Sequence, residues 1–326
     1  MRYRALITAT LLGLTALPGA AFGVELRVLS SWDQTYPVRP VFLETFLKNV
    51  ETTSKGDIKF LISGPETVPP FEQLQPVSSG VFQVLLTHGA YHVGQTPYLL
   101  AVEALGGDLT KWREAGVREM IDTNYQKKNL KLVALGQTPE NTALHFILRQ
   151  PIGPSGDLQG RKMRGTQTFT GVFKLLGASP VVMPPSEIYS ALEKGVVDGA
   201  GWPVIGVLGY HWDEVAKYLV RPTFGRLVYP IFFNLDAWNK LTDQQRKIIS
   251  DEGRKSEDSF YVDWVKLAKD EEAKLKEKGS QVTEVGADKK DKLNKALGEA
   301  EFEVAEKQDP KSIGELREFA KSKGLY

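Results

Sequence analysis

The chain has 326 residues, 41 Lys plus Arg against 40 Asp plus Glu, and no cysteine. Without cysteine there is no disulfide scaffold, thiol catalysis or Cys-type zinc site. The near-neutral balance lacks the concentrated basic surface that nucleic acid requires.

At the N-terminus, Arg2 and Arg4 precede an apolar run from Ala5 to Leu17, and Pro18 and Gly19 break it. Ala21-Phe22-Gly23 then puts small residues at the two positions a signal peptidase reads. This pattern predicts a secretory signal peptide over 1–23. The run is too short for a membrane anchor, and no later segment reaches the roughly 18 apolar residues needed to span. An exported chain that is not membrane-embedded is expected. Removing 23 of the 326 residues leaves 303, with 39 basic and 40 acidic side chains. That length suffices for two core-bearing lobes of roughly 100–150 residues each.

Alternation over 25–30 predicts a first strand, and Val41, Phe42, Phe46, Leu47 and Val50 lie on one face of a helix over 40–52. A second strand is read over 58–62. The near-continuous apolar run over 82–87 fits a buried parallel strand. Strand, helix, strand, helix, strand in this order predicts an α/β lobe. Apolar runs follow at 130–135 and 143–148, and the Pro- and Gly-rich loop 150–156 is read as a crossing between lobes. Residues 226–235 read as a strand returning to the first lobe. From Thr242 the chain turns helical as far as Gly279, with a break at Gly253 as the alternative; a helix this long crosses both lobes. Two more helices are read over 289–306 and 312–323. The expected division is lobe I from 24–147 plus 226–268, and lobe II from 148–225 plus 269–326.

The most informative segment runs from Leu158 to Trp202. It reads L-x-G-x-K-x-R, ending at Arg164, and then L-G-A-x-P-V-x-M-x-x-x-E-x-Y-x-A-L-x-x-G-x-x-D-G from Leu176 to Gly199. This pattern resembles the substrate-binding proteins of tripartite ATP-independent periplasmic (TRAP) transporters, the DctP-like family. The resemblance covers essentially the whole mature chain and is most specific in this central segment. It implies a two-lobed α/β periplasmic binding protein fold with a long helix spanning both lobes. It also implies a ligand enclosed by hinge closure, partner TRAP permease subunits in the membrane, and an ion gradient as the energy source.

An arginine at the end of a strand presents a planar fork of donors that matches a carboxylate bidentately. The resemblance assigns Arg164 the carboxylate of an organic acid; a structural ion pair with a neighbour such as Asp157 is the alternative. The chain departs from the sialic-acid-binding branch of the family in three places. Gly201-Trp202-Pro203 stands where that branch has Glu-Asn-Pro, Pro185 replaces an aromatic, and no second arginine lies about 20 residues before Arg164. These departures favour a smaller or more apolar monocarboxylate.

Trp202 offers a flat wall and one N–H, unless it is ordinary core. Trp32, Phe71, Tyr91 and Phe169 fall beyond the carboxyl ends of predicted strands, where ligands sit in open α/β sheets. With Tyr229 and Phe232 on the returning strand, they predict an aromatic-lined pocket for an aromatic or branched acid. Each taken alone is as readily core. His88 and His92 have i, i+4 spacing, but Gly89 and the absent glutamate of an HExxH pattern argue against zinc. His88 is read as a polar ligand contact, and His145 and His211 as structural. Glu66, Glu72 and Asp198 are further cleft candidates, with Asp198 equally a turn residue.

No nucleophile elbow and no phosphate-cradling loop is present. The leading expectation is therefore a solute-binding receptor in the periplasm that needs no cofactor or metal. A periplasmic lyase or isomerase acting on small organic acids is the alternative, and a receptor feeding a signalling protein a third.

Overall fold

The computed structural model describes residues 23–326, and the expected signal peptide lies, but for Gly23, outside them. Eleven strands run through the described residues: β1 (Val24–Ser30), β2 (Ile58–Ser63), β3 (Val84–Leu86), β4 (Leu130–Gln137), β5 (Leu144–Leu148), β6 (Lys162–Arg164), β7 (Ser179–Val181), β8 (Gly199–Pro203), β9 (Tyr218–Arg221), β10 (Val228–Asn234) and β11 (Gln281–Glu284). They form two sheets, one per lobe. The first has order β2-β1-β3-β10-β4 and the second β11-β9-β5-β8-β6-β7.

In the first sheet β1 is parallel to β2 and β3, and β10 inserts antiparallel between β3 and β4. Its apolar runs are continuous because both faces are covered. One face packs on the helix Thr45–Thr53 and the other on the helices Tyr98–Glu103 and Val117–Gln126.

Two segments cross between the sheets side by side. Residues 138–143 lead from β4 to β5, and residues 222–227 lead from β9 to β10. Thr138 and Leu227 exchange hydrogen bonds, the Thr138 N–H to the Leu227 carbonyl at 3.1 Å and the Leu227 N–H to Thr138 Oγ1 at 3.0 Å. Leu144 pairs with Phe224 farther on. The crossing is thus a narrow antiparallel ribbon that continues the β4–β10 pair.

This corrects the expected lobe boundary after residue 147, which falls inside β5. That strand belongs wholly to the second sheet. The loop 150–156 does not cross at all. It stays in the second lobe, where the Ile152 N–H donates to Thr283 Oγ1 at 3.0 Å and Gly156 packs on Gly286.

The helix Asp243–Glu277 is unbroken over 35 residues, about 50 Å at 1.5 Å per residue. A capping box starts it: Thr242 Oγ1 accepts from the Gln245 N–H, and the Gln245 side chain accepts from the Thr242 N–H. Gly253 does not break it. A Cβ there would lie 2.6 Å from the Val133 carbonyl, so the glycine lets the helix press onto β4. Farther along, Glu257 accepts the Leu135 N–H at 2.9 Å, which covers the open edge of β4. In the second lobe, Glu271 accepts the N–H groups of Gly206 at 2.7 Å and Leu208 at 3.0 Å. The helix therefore holds both lobes.

The C-terminal helices depart from the expected assignment to lobe II. The helix Leu293–Gln308 touches both lobes, lying against Gly171 on one side and the helix Tyr98–Glu103 on the other. Phe302, Ile313, Leu316 and Ala320, the last three from the helix Pro310–Ser322, share a core with Leu99 and Trp112 of the first lobe. Their amphipathic pattern requires an apolar partner but does not specify which sheet supplies it.

Candidate functional site

Arg164 is the last residue of β6. Met163 and Arg164 pair with Gly199 and Ala200 of β8, and the Asp198 carboxylate accepts the Lys162 N–H at 2.8 Å. Asp198 is therefore a turn residue that stitches the arginine's strand in place.

The Arg164 side chain is 1% exposed. Its Nε and Nη2 donate to the Met183 carbonyl at 3.2 and 2.9 Å, and Nη1 donates to the Gly201 carbonyl at 3.2 Å. Its guanidinium carbon lies 5.2 Å from the Trp202 ring centroid. A guanidinium carries five N–H donors, so one hydrogen on each terminal nitrogen meets neither carbonyl; the Tyr91 hydroxyl lies alongside, and the two hydrogens form the set that meets a carboxylate end-on. Among the described residues no carboxylate pairs with Arg164. Asp157, the alternative partner, is instead held by Ser155 and the Gln159 N–H. Burial lowers the Arg164 pKa, opposed by the neighbouring Tyr91 and Tyr210.

The first lobe supplies aromatic walls. Trp32 and Tyr36 follow β1, and His88 and Tyr91 follow β3, all beyond the carboxyl ends of their strands. The Trp32 ring lies 5.2 Å from Tyr36, 5.7 Å from Tyr91 and 5.6 Å from Tyr229. The Tyr36 and Tyr229 hydroxyls are hydrogen-bonded at 2.6 Å. Burial, and for Tyr36 the neighbouring Tyr229, push both phenols well above the usual range, so they stay neutral. Tyr36 also meets the second lobe, edge-on to Trp202 at 5.6 Å and stacked on Tyr210 at 6.4 Å.

Between these walls lies a small cavity of about 30 Å³. Its second-lobe side includes Arg164, Thr166, Thr168, Phe169 and Trp202, and the crossing ribbon adds Leu227. A Cβ on Gly201 would lie 2.7 Å from the Phe169 ring, so the glycine makes room for that wall. Arg164 is the one formally charged side chain in the lining.

Of the residues singled out in the sequence, Arg164, Trp202, Trp32, His88, Tyr91, Phe169 and Tyr229 converge on this cavity. Two do not. Phe71 stands behind Tyr91, their rings 5.2 Å apart in a T-shape. Phe232 lies on the opposite face of the sheet from Tyr229, stacked on Tyr125 at 4.4 Å. Three positions along a strand reverse the side-chain direction, so the two aromatics of β10 cannot line one pocket.

Two further readings change in detail. His88 offers no free nitrogen, because Nε2 meets Glu103 Oε1 at 2.7 Å and Nδ1 accepts the Ala90 N–H at 3.2 Å. The Trp202 N–H is engaged by the Ile205 carbonyl at 3.1 Å, so only its ring faces Arg164. His92 binds Thr87 Oγ1 at 2.7 Å, and burial lowers its pKa to about 3. His145 is likewise buried and lowered to about 3. Glu66 folds back onto the Gly64 N–H, away from the cavity. Sequence reasoning missed Thr166, Thr168 and Leu227; the threonines' one signal was their place just after Arg164.

Residues 31–308 match the bacterial extracellular solute-binding proteins of family 7, DctP. The chain belongs to that family. Its members are the substrate-binding proteins of TRAP transporters, and the two-lobed α/β architecture is theirs. A monocarboxylate 2-oxoacid-binding periplasmic protein of Nostoc sp. (strain PCC 7120) is 25% identical over 259 residues, 75% of this chain and 69% of that protein. A TRAP periplasmic solute-binding protein from Desulfovibrio salexigens, solved with orotic acid, superposes with a TM-score of 0.80 at 22% identity, covering 92% of this chain and 98% of that one. DctP7 of Bordetella pertussis, solved with pyroglutamic acid, gives 0.75 at 15% identity, covering 92% and 100%. No helix among the described residues is long and apolar enough to cross a membrane.

Proposed function

We propose that this family member is a periplasmic receptor for a small monocarboxylate with an apolar, aromatic or branched body. It is exported by its N-terminal signal peptide and delivers its ligand unchanged to TRAP permease subunits. The observation that carries the reading is Arg164, a buried guanidinium with two spare N–H groups and no counter-charge, facing an aromatic cavity. Burying a cation without an anion is costly, and a ligand carboxylate in a water-poor cavity offsets that cost.

The lobes explain the coupling to closure. The cation comes from the second lobe and most of the aromatic wall from the first, so the ligand touches both only when they close. Closure is then a population shift driven by that differential affinity. A second carboxylate finds no cation in the lining, which disfavours dicarboxylates.

The test is calorimetry with small monocarboxylates against their dicarboxylate analogues. Monocarboxylates bind, and denaturation releases them chemically unchanged. Binding confined to dicarboxylates or sugar acids, or turnover of the ligand, refutes the reading.

A further inference from the structure

The cavity lining contains two buried polar atoms with no hydrogen-bond partner, Trp32 Nε1 and Thr168 Oγ1. They come from opposite lobes, and their residues are 3% and 1% exposed. Several other polar side chains of this wall are already engaged. Tyr36 and Tyr229 satisfy each other, His88 is held by Glu103 and Ala90, and Trp202 by Ile205. An unmade hydrogen bond in a buried place is expensive, so a ligand is the natural partner for both atoms.

The chemistry of the two atoms narrows that partner. An indole N–H donates only, whereas a threonine hydroxyl donates or accepts. A ligand atom that serves both is therefore an acceptor. It is also uncharged, because Arg164 is the lining's one cation and is matched by the first carboxylate. Position follows from neighbours. Thr168 lies four residues after Arg164, in the short helix Gln167–Phe169 that follows the strand, and both line the cavity. Trp32 packs on Tyr91, whose hydroxyl lies beside both the Trp32 indole and the Arg164 guanidinium without forming a well-aligned bond to the Trp32 N–H. Trp32 is also fixed among three aromatic rings, so its N–H is aimed before the ligand arrives.

We infer that Trp32 and Thr168 are a specificity pair that reads an oxo or hydroxyl oxygen on the carbon next to the ligand's carboxylate. This rests on the monocarboxylate reading above and deepens it. An acid lacking that oxygen leaves both atoms unpaired, and sites built to bond an oxygen reject analogues without it.

The probes are 3-methylbutanoate, 2-hydroxy-3-methylbutanoate and 2-oxo-3-methylbutanoate, which share one branched body. Calorimetry on the full mature chain gives the ratio of the plain acid's Kd to that of each oxygenated acid. The wild-type ratio is expected to be about tenfold or more for at least one oxygenated acid. It falls toward one in Thr168→Val, and further in Trp32→Phe combined with it. A ratio is insensitive to a general loss of affinity, and the near-isosteric Thr168→Val keeps the test open if the tryptophan variant folds poorly.

A wild-type ratio near one, or a ratio unchanged in both variants, overturns the specificity pair. So does a liganded crystal structure in which water alone partners Trp32 Nε1 and Thr168 Oγ1. The underlying reading fails separately: if 3-methylbutanamide binds as tightly as 3-methylbutanoate, no carboxylate is being recognised, whatever the ratio.

Discussion

Two arginines are buried in this molecule in nearly the same cradle, and the difference between them locates the site. Arg226, in the crossing ribbon, donates to the Leu105 carbonyl at 2.5 Å and to the Gly107 carbonyl, with its guanidinium carbon 4.8 Å from the Trp112 ring centroid. Arg164 likewise has two carbonyl acceptors and a tryptophan face. Around Arg226, however, Glu140 stands at 3.6 Å, and the charges of Glu140 and Glu103 oppose the lowering of its pKa by burial. Around Arg164 the opposing groups are phenols. One arginine has its counter-charge within the fold, and the other lacks its anion. Burial and cation–π contact are common to both, so neither feature alone marks a binding site. The missing counter-charge does.

The largest expected effect comes from removing the incomplete arginine. Arg164→Ala weakens monocarboxylate binding at least about 100-fold in calorimetry, within the 2–5 kcal/mol typical of truncating a buried charge pair. It also lowers stability, because the Met183 and Gly201 carbonyls lose their donors. Arg164→Lys keeps the charge but not the fork, and should recover only part of the affinity.

The complementary change is Arg226→Ala. It removes the cation that faces Glu140 and Glu103 and the donors to the Leu105 and Gly107 carbonyls, and should cost about 3–5 kcal/mol in denaturant unfolding. In protein that remains folded, the Kd for the monocarboxylate shifts far less than in Arg164→Ala. Equal losses of affinity in the two variants would break the comparison.

Trp202→Leu is expected to weaken binding about tenfold, from the lost cation–π contact and wall. Measuring its Kd shows whether the ring merely fills space or also fixes Arg164.

The smallest effect concerns pH. Glu301 is fully buried, its two carboxyl oxygens have no partner, and burial together with Glu103 raises its pKa well above the usual range. In the native state it therefore holds a proton that the unfolded chain releases near pH 4.3. Its contribution is harmless below that pH and becomes destabilising as pH rises toward the native pKa. Glu301→Gln should flatten the fall of Tm between pH 5 and 8 and raise Tm by about 2–4 °C at the upper end. An unchanged pH profile would show that the carboxyl is ionised in the native state.

Much of this arrangement was legible in the sequence. Arg164 stood out because a short strand ended on it inside a long family pattern, and the buried strands announced themselves as apolar runs. The long helix was read through Gly253 because charged and apolar positions continue on both sides. The crossing point was not legible. Residues 138–142 and 150–156 both carry turn residues, and only pairing of Thr138 with Leu227 shows which one bridges the sheets. Phe232 was misplaced by counting aromatics without applying the strand's period of two. The state of His88 depended on Glu103, and that of Trp202 on the Ile205 carbonyl, partners that spacing does not reveal. Thr168 went unnoticed for a related reason: a threonine becomes informative only once it is seen buried and unpaired.

The central claim is that Arg164 lacks an anion which the ligand brings. A crystal structure of the wild-type protein with a bound monocarboxylate tests it most directly. The account predicts the carboxylate oxygens about 2.7–2.9 Å from both terminal nitrogens of Arg164, with the Met183 and Gly201 contacts retained. A ligand whose carboxylate sits elsewhere in the cavity, with Arg164 still bonded only to those two carbonyls, would contradict it.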